Sequence, residues 1–138
     1  MSSVMVSGHF DPFHDGHLSY IKQAREYGDF IVCCVSTDKQ LMIKKGKVNI
    51  PEKGRLEIMR LIMNGLKYSN ITFLNVWDTD TTLIANALKY WQPHILLRGG
   101  DKTIDDMPPE ERKVCEDMGI KVVHAVFDTD RHGSKMML

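Results

Sequence analysis

Three histidines, His9, His14 and His17, fall within a single short run that reads Gly8-His9-Phe10-Asp11-Pro12-Phe13-His14-Asp15-Gly16-His17. The run follows an apolar segment at residues 4–6 and leads straight into an amphipathic stretch, so it stands where a strand hands over to a helix. Free backbone N–H groups and the helix dipole favour anions at such an entry, phosphate above all. Gly16 lets the backbone come close to the anion. His14 and His17, three residues apart, can then face the same phosphate and donate hydrogen bonds to its non-bridging oxygens as charge builds in an in-line phosphoryl displacement. A zinc site is the alternative, because His9, Asp11, His14 and His17 offer ligand atoms of the right kinds. An H-x-x-H pair with no cysteine nearby and a glycine at the strand-to-helix turn fits phosphate better than a closed metal cage.

A second feature has matching chemistry. Lys44, Lys45, Lys47 and Arg55 form a positive cluster in a chain whose 18 lysines and arginines balance 18 aspartates and glutamates. A lysine run is ordinarily a solvated face, but this one follows the second apolar segment, and polyphosphate is its natural counter-charge. The overall balance gives no reason to expect nucleic acid or an anionic membrane as partner, so any phosphate site must be local.

These residues need a frame. Short apolar runs at residues 4–6, 30–35, 71–76, 95–97 and 122–126 alternate with amphipathic ones at residues 18–27, 52–63, 81–90 and 110–118. Strand and helix in regular alternation imply an α/β fold, a Rossmann-like doubly wound sheet of five parallel strands. In such a sheet the ligand crevice lies at the carboxyl ends of the strands, where the winding reverses. The loops expected to matter are residues 7–17, 36–50, 98–109 and 127–134. Asp78, Thr79 and Asp80 are expected to cap the helix that follows them. Trp77 and Trp91 are expected as core or rim aromatics, and His94 and His124 as structural residues.

The 138 residues, 43% of them hydrophobic, suit a single domain. No apolar run approaches the roughly 20 residues of a membrane span, and residues 1–10 lack the basic and apolar regions of a signal peptide, so the expected location is cytoplasmic. Cys33 and Cys34 are adjacent within an apolar run, and with Cys115 they make neither a disulfide framework nor a CxxC site. Buried reduced thiols are the expectation.

Residues 8–17 resemble the G-[TS]-F-D-x-x-H-x-G-H signature of the cytidylyltransferase-like nucleotidyltransferase superfamily, including its H-x-G-H core. The likeness extends through Ser36-Thr37-Asp38, through Lys44-Lys45-Gly46-Lys47 with Pro51-Glu52 and Arg55-x-Glu57, and through Leu97-Arg98-Gly99-Gly100-Asp101. The resemblance implies that His14 and His17 bind triphosphate and stabilise the transition state. It implies that Gly8, Phe10 and Asp11 shape the site, and that Lys44 or Lys45 and Arg55 meet phosphates. It also implies that Arg98, Gly99 and Asp101 pack near the base. His9 replaces the family's Thr or Ser, which contacts phosphate. Where the family has a Ser/Thr-rich start to its last helix, this chain has Arg131-His132-Gly133-Ser134-Lys135, so His132 and Ser134 are the expected phosphate contacts there, with Arg131 beside them. Only one helical turn can follow, so either the family's last helix is missing or another subunit covers that end, and a homodimer is the expected assembly.

The activity implied is transfer of a nucleotidyl group from a nucleoside triphosphate, ATP or CTP, to a phosphorylated small-molecule acceptor, with Mg²⁺ carried in on the triphosphate. Residues 80–101 look most like the adenylyltransferase domain of heptose-phosphate enzymes of lipopolysaccharide precursor synthesis, which implies ATP and a sugar 1-phosphate. Glycerol-3-phosphate cytidylyltransferases and archaeal FAD synthetases, which adenylylate FMN, are close rivals. An inactive nucleotide-binding regulatory module is the reading from a different class.

Overall fold

The run from Phe30 to Val35 is apolar throughout, the pattern of a strand covered on both faces, and only Phe30 at its start is less than fully buried. The computed structural model describes residues 2–99 and 103–126 and places this run within a five-stranded, all-parallel sheet. In chain order the elements are β1 (Ser3–Gly8), α1 (Asp15–Ala24), β2 (Phe30–Val35), α2 (Asp38–Lys45), α3 (Glu52–Gly65), β3 (Asn70–Leu74), α4 (Ala85–Trp91), β4 (Ile95–Arg98), a 3₁₀ turn (Ile104–Asp106), α5 (Pro109–Met118) and β5 (Lys121–His124). The spatial order is β3-β2-β1-β4-β5, so the winding reverses between β1 and β4. The doubly wound α/β fold is the one the alternation of apolar runs implied.

Strand side chains alternate between the two faces. Val4 and Val6 of β1 and Ile31, Cys33 and Val35 of β2 pack with Tyr20, Ile21 and Ala24 of α1 and Met59 and Met63 of α3. Met5, Val32 and Cys34 point the other way, toward Ala85, Ala87 and Leu88 of α4 and Val114 and Cys115 of α5. The adjacent Cys33 and Cys34 therefore lie on opposite faces. Both are free and buried, and burial pushes the Cys33 thiol up to about 12, so it stays protonated.

Where the structure departs from the expected elements, the causes are local. Residues 38–45, expected within a loop, form α2 because Thr37 and Gln40 cap it reciprocally. The Thr37 hydroxyl accepts from the Gln40 N–H at 3.2 Å, and the Gln40 side chain accepts from the Thr37 N–H at 3.3 Å. The helix after β3 begins at residue 85 rather than 81. Asp78 still caps it, from a distance in sequence, accepting from the N–H groups of Asn86 at 2.8 Å and Ala87 at 3.0 Å. Asp80 pairs with Lys39 instead. Helix α1 ends at Ala24, short of Gly28-Asp29. Gly28 serves a close approach, since a Cβ there would lie 2.7 Å from Val4 Cγ2 and 2.8 Å from the Ser2 carbonyl oxygen.

The crevice has a visible origin. β1 pairs with β2 from Ser3↔Phe30 to Gly8↔Val35, but with β4 only at Val4↔Ile95 and Met5↔Leu96. Past that point a side chain bridges the two central strands. The Tyr20 hydroxyl donates to the Leu97 carbonyl at 2.6 Å and accepts from the Ser7 N–H at 3.0 Å. A phenol inserted where a ladder would continue holds the two carboxyl ends apart at the switch point. Tyr20→Phe should leave a buried N–H and C=O unpaired and cost about 1–3 kcal/mol. The expected reading is a lower urea midpoint at unchanged slope.

Candidate active site

The entry to α1 is held by its own histidines. His14 is the N-cap residue, and its Nδ1 accepts from the Gly16 N–H at 3.0 Å. His17, three residues on, returns the contact, its Nδ1 accepting from the His14 N–H at 3.2 Å. This is a capping box built with imidazoles in place of the usual hydroxyl and carboxyl. The rings stack with centroids 3.7 Å apart. Because each Nδ1 accepts a backbone N–H, a neutral ring must carry its proton on Nε2, so both rings offer Nε2–H as donor. For His17 the neutral form is enforced, since burial first, and the nearby His14 and His9 next, lower its pKa from 6.5 to about 4.

Phe10 and Gly8 shape the turn before the helix. Phe10 adopts a left-handed backbone at φ 51°, with its ring buried and set edge-on to His17, centroids 5.1 Å apart. A Cβ on Gly8 would lie 3.0 Å from the Phe10 ring, so the residue before His9 must be small. Asp11 ties the turn to the segment ahead of α3, accepting from the N–H of Ile50 at 2.6 Å and of Asn49 at 2.8 Å. Its carboxylate thus positions backbone, and the zinc grouping of His9, Asp11, His14 and His17 is not assembled. Among the described residues no three His, Cys, Asp or Glu side chains converge to hold a metal ion.

Arg55, expected on phosphate, does something else. It is fully buried, at 0% exposure, and its guanidinium donates to the carbonyls of Ile50 at 2.7 Å, Ser36 at 2.7 Å and His9 at 3.0 Å, and to Asp38 Oδ1 at 2.8 Å. Four of its five N–H groups are spent on protein oxygens, so Arg55 is a positioning residue rather than a phosphate ligand.

A cleft of about 820 Å³ lies over the strand ends, within the size range of small-molecule sites. His14, His17, Gly16, Gly8, His9, Phe10, Asp11, Lys44, Lys45, Arg98 and Gly99 all line it. Of the expected site residues that it describes, the structure brings all but Arg55 together. Lys44 and Lys45 close α2, just before the left-handed Gly46, and their charge, after burial, contributes to holding the His9 pKa below its ordinary value. The Nδ1 of His9 is buried with no hydrogen-bond partner among the described residues. Arg98 donates through Nη1 to the Thr103 carbonyl at 2.6 Å and reaches His124 Nε2 at 3.3 Å. Asp101, His132 and Ser134, with Gly100 and Arg131, lie outside the described residues.

Other lining residues carry no motif. Tyr20 and Gln23 lie on the inner face of α1, where the Gln23 amide pairs with the Val126 backbone, donating at 3.2 Å and accepting at 2.8 Å. Thr82, Ile84 and Glu111 come from the loop before α4, the start of α4 and the first turn of α5. A single chain offers no signal that joins residues 82 and 111.

The cytidylyltransferase-like family model matches residues 5–132. The chain belongs to the cytidylyltransferase-like family. It is 31% identical over 126 residues to the bifunctional protein HldE of Geobacter sulfurreducens, a match covering 90% of this chain and 24% of HldE. It is 31% identical over 123 residues to an FAD synthase of Methanohalophilus mahii, covering 89% of this chain and 80% of that enzyme. The chain thus spans about a quarter of the HldE relative's length. In fold it resembles a lipopolysaccharide core biosynthesis protein from Thermoplasma volcanium, with TM-score 0.67, 22% identity, and coverage of 92% of this chain and 98% of the other. No helix among the described residues is long and apolar enough to cross a membrane.

Two outcomes test this geometry. In the free protein, ring-nitrogen NMR should show His17 as the neutral Nε2–H tautomer at pH 6, protonating near pH 4, and adding ATP should raise that value. The folded-state value lies below the unfolded one, so this contribution to stability is complete above pH 6.5 and lost as pH falls toward 4. Arg55→Ala should destabilise the fold by about 3 kcal/mol or more, because it orphans three backbone carbonyls and a carboxylate. Chemical denaturation reads it.

Proposed function

We propose that the protein joins a nucleoside monophosphate, from ATP in preference to CTP, to a phosphorylated acceptor such as a sugar 1-phosphate and releases pyrophosphate. The observation that carries this reading is the imidazole capping box, which sets two Nε2–H donors at the positive end of α1, on a cleft lined by Lys44 and Lys45. An acceptor phosphate oxygen attacks the α-phosphorus, a new P–O bond forms, the bond to the β-bridging oxygen breaks, and pyrophosphate leaves with no covalent enzyme intermediate. His14 and His17 donate to non-bridging oxygens of the α- and β-phosphates as negative charge builds there. Lys44 and Lys45 balance the charge of triphosphate and acceptor, and His9 lines the same cleft. Catalysis is then positioning and charge neutralisation.

The donor set suits a Mg²⁺ that enters on the triphosphate, since Asp11 is committed to backbone N–H groups and Asp38 to Arg55. Bound there, the ion would shield the phosphate charges. ATP is preferred because the bifunctional HldE relative matches nearly the whole chain, in line with the likeness of residues 80–101 to heptose-phosphate adenylyltransferase domains. Adenylylation of FMN is the second reading, favoured by the FAD synthase relative, which this chain covers over 80% of its length.

A pyrophosphate-release panel pairing ATP and CTP with heptose 1-phosphate, glycerol 3-phosphate and FMN tests the proposal. Release should be fastest with ATP and heptose 1-phosphate, and His17→Ala should lower turnover about a hundredfold or more. Nucleotide-dependent thermal stabilisation with no pyrophosphate from any pair would sink the transfer reaction in favour of a binding module.

A further inference from the structure

The cleft's second wall holds a residue at odds with a phosphate site. Glu111, in the first turn of α5, is buried at 6% exposure and lines the same cleft as the histidines and lysines. A buried carboxylate beside a triphosphate would repel it, so this one must face a part of the ligands that carries no phosphate. Its Oε2 accepts from the Ile84 N–H at 3.0 Å. Burial raises its pKa, and the nearby Arg98 guanidinium partly offsets that. Thr82 and Arg98 line the cleft as well. A carboxylate, a hydroxyl and a guanidinium together provide acceptors and donors, the complement of neighbouring hydroxyl groups that each donate and accept. A bound ammonium is disfavoured by Arg98. A flat base needs apolar faces rather than a buried charge.

We propose that Glu111 is a specificity-determining residue, accepting hydrogen bonds from the hydroxyls of a polyhydroxylated phosphate monoester seated as acceptor between α4 and α5. This rests on the transferase reading for the word acceptor. The subsite itself is tested by binding.

Calorimetry with the full chain, saturated with α,β-methylene-ATP, would compare mannose 1-phosphate with cyclohexyl phosphate, which keeps the ring and phosphate but lacks the hydroxyls. The wild-type protein should bind the sugar phosphate at least about tenfold more tightly, the kind of discrimination a site built for hydroxyls achieves. Glu111→Gln keeps an oxygen for the Ile84 N–H. It should reduce that ratio about tenfold while leaving cyclohexyl phosphate and the nucleotide analogue within about twofold, a pattern that a role confined to propping α4 would not produce. If this variant fails to fold, Thr82→Ala carries the test, with a fall of about fivefold expected. An unchanged ratio in the folded variant, no preference in the wild type, or a loss confined to the nucleotide analogue would overturn the proposal. The last outcome would move the hydroxyl contact to the ribose. Pyrophosphate release measured in parallel separates the two ideas. Release with an unchanged ratio defeats only the Glu111 assignment, whereas a Glu111-dependent ratio without release from any acceptor defeats only the transfer reaction.

Discussion

One buried guanidinium holds the working end of this protein in shape. Arg55 reaches from the first turn of α3 to the turn after β1, through the His9 carbonyl, to the turn after β2, through Ser36 and Asp38, and to the chain ahead of α3, through Ile50. Asp11 adds a second tie between the first and last of these. Burying a positive charge is costly unless its hydrogen bonds and counter-charge are supplied, and here the loops themselves supply them. The exchange works in both directions. The loops acquire a fixed geometry, and the guanidinium has no other place to be satisfied. Lysine could not do the same, because the planar fork is what reaches three chain segments at once.

On that frame the histidine pair does two jobs with one set of atoms. A helix start leaves N–H groups that need acceptors. Nδ1 of His14 and of His17 answer that need, and in doing so fix each ring's tautomer and orientation. The opposite nitrogen is thereby committed to donating, at the end of the helix where an anion is most welcome. In the proposed reaction, the pressures that keep the His17 ring neutral, burial first and the neighbouring His14 and His9 next, are opposed by the negative charge of a bound phosphate. Preorganisation of this kind spares the donors any rearrangement as charge builds.

The cleft exists because the sheet changes direction between β1 and β4 and because Tyr20 separates their ends. Its lining differs in chemistry from one side to the other. The wall from α1, α2 and the turn after β1 is rich in histidine and lysine, and the wall from α4 and α5 mixes Glu111 and Thr82 with apolar Ile84. Two ligands of unlike character, one dominated by phosphate and one by carbon and hydroxyl, match such a division.

Local sequence by itself determined the α/β alternation, the strand-to-helix turn at residues 8–17 and the facing pair of His14 and His17 at the helix start, because each depends on neighbours within a few residues. Periodicity and anion capture by a helix start are both short-range physics. It missed α2, whose stability comes from the Thr37–Gln40 cap rather than an apolar stripe, and it placed the start of α4 too early because Asp78 caps from a distance. Tertiary structure alone decided what Arg55 does. A cation near a phosphate site and a cation buried among carbonyls read alike in one dimension, and only the packing of three loops around the side chain distinguishes them. The same holds for Glu111, which joins the cleft only because α5 folds back beside α4, bringing residues far apart in the chain within hydrogen-bonding reach.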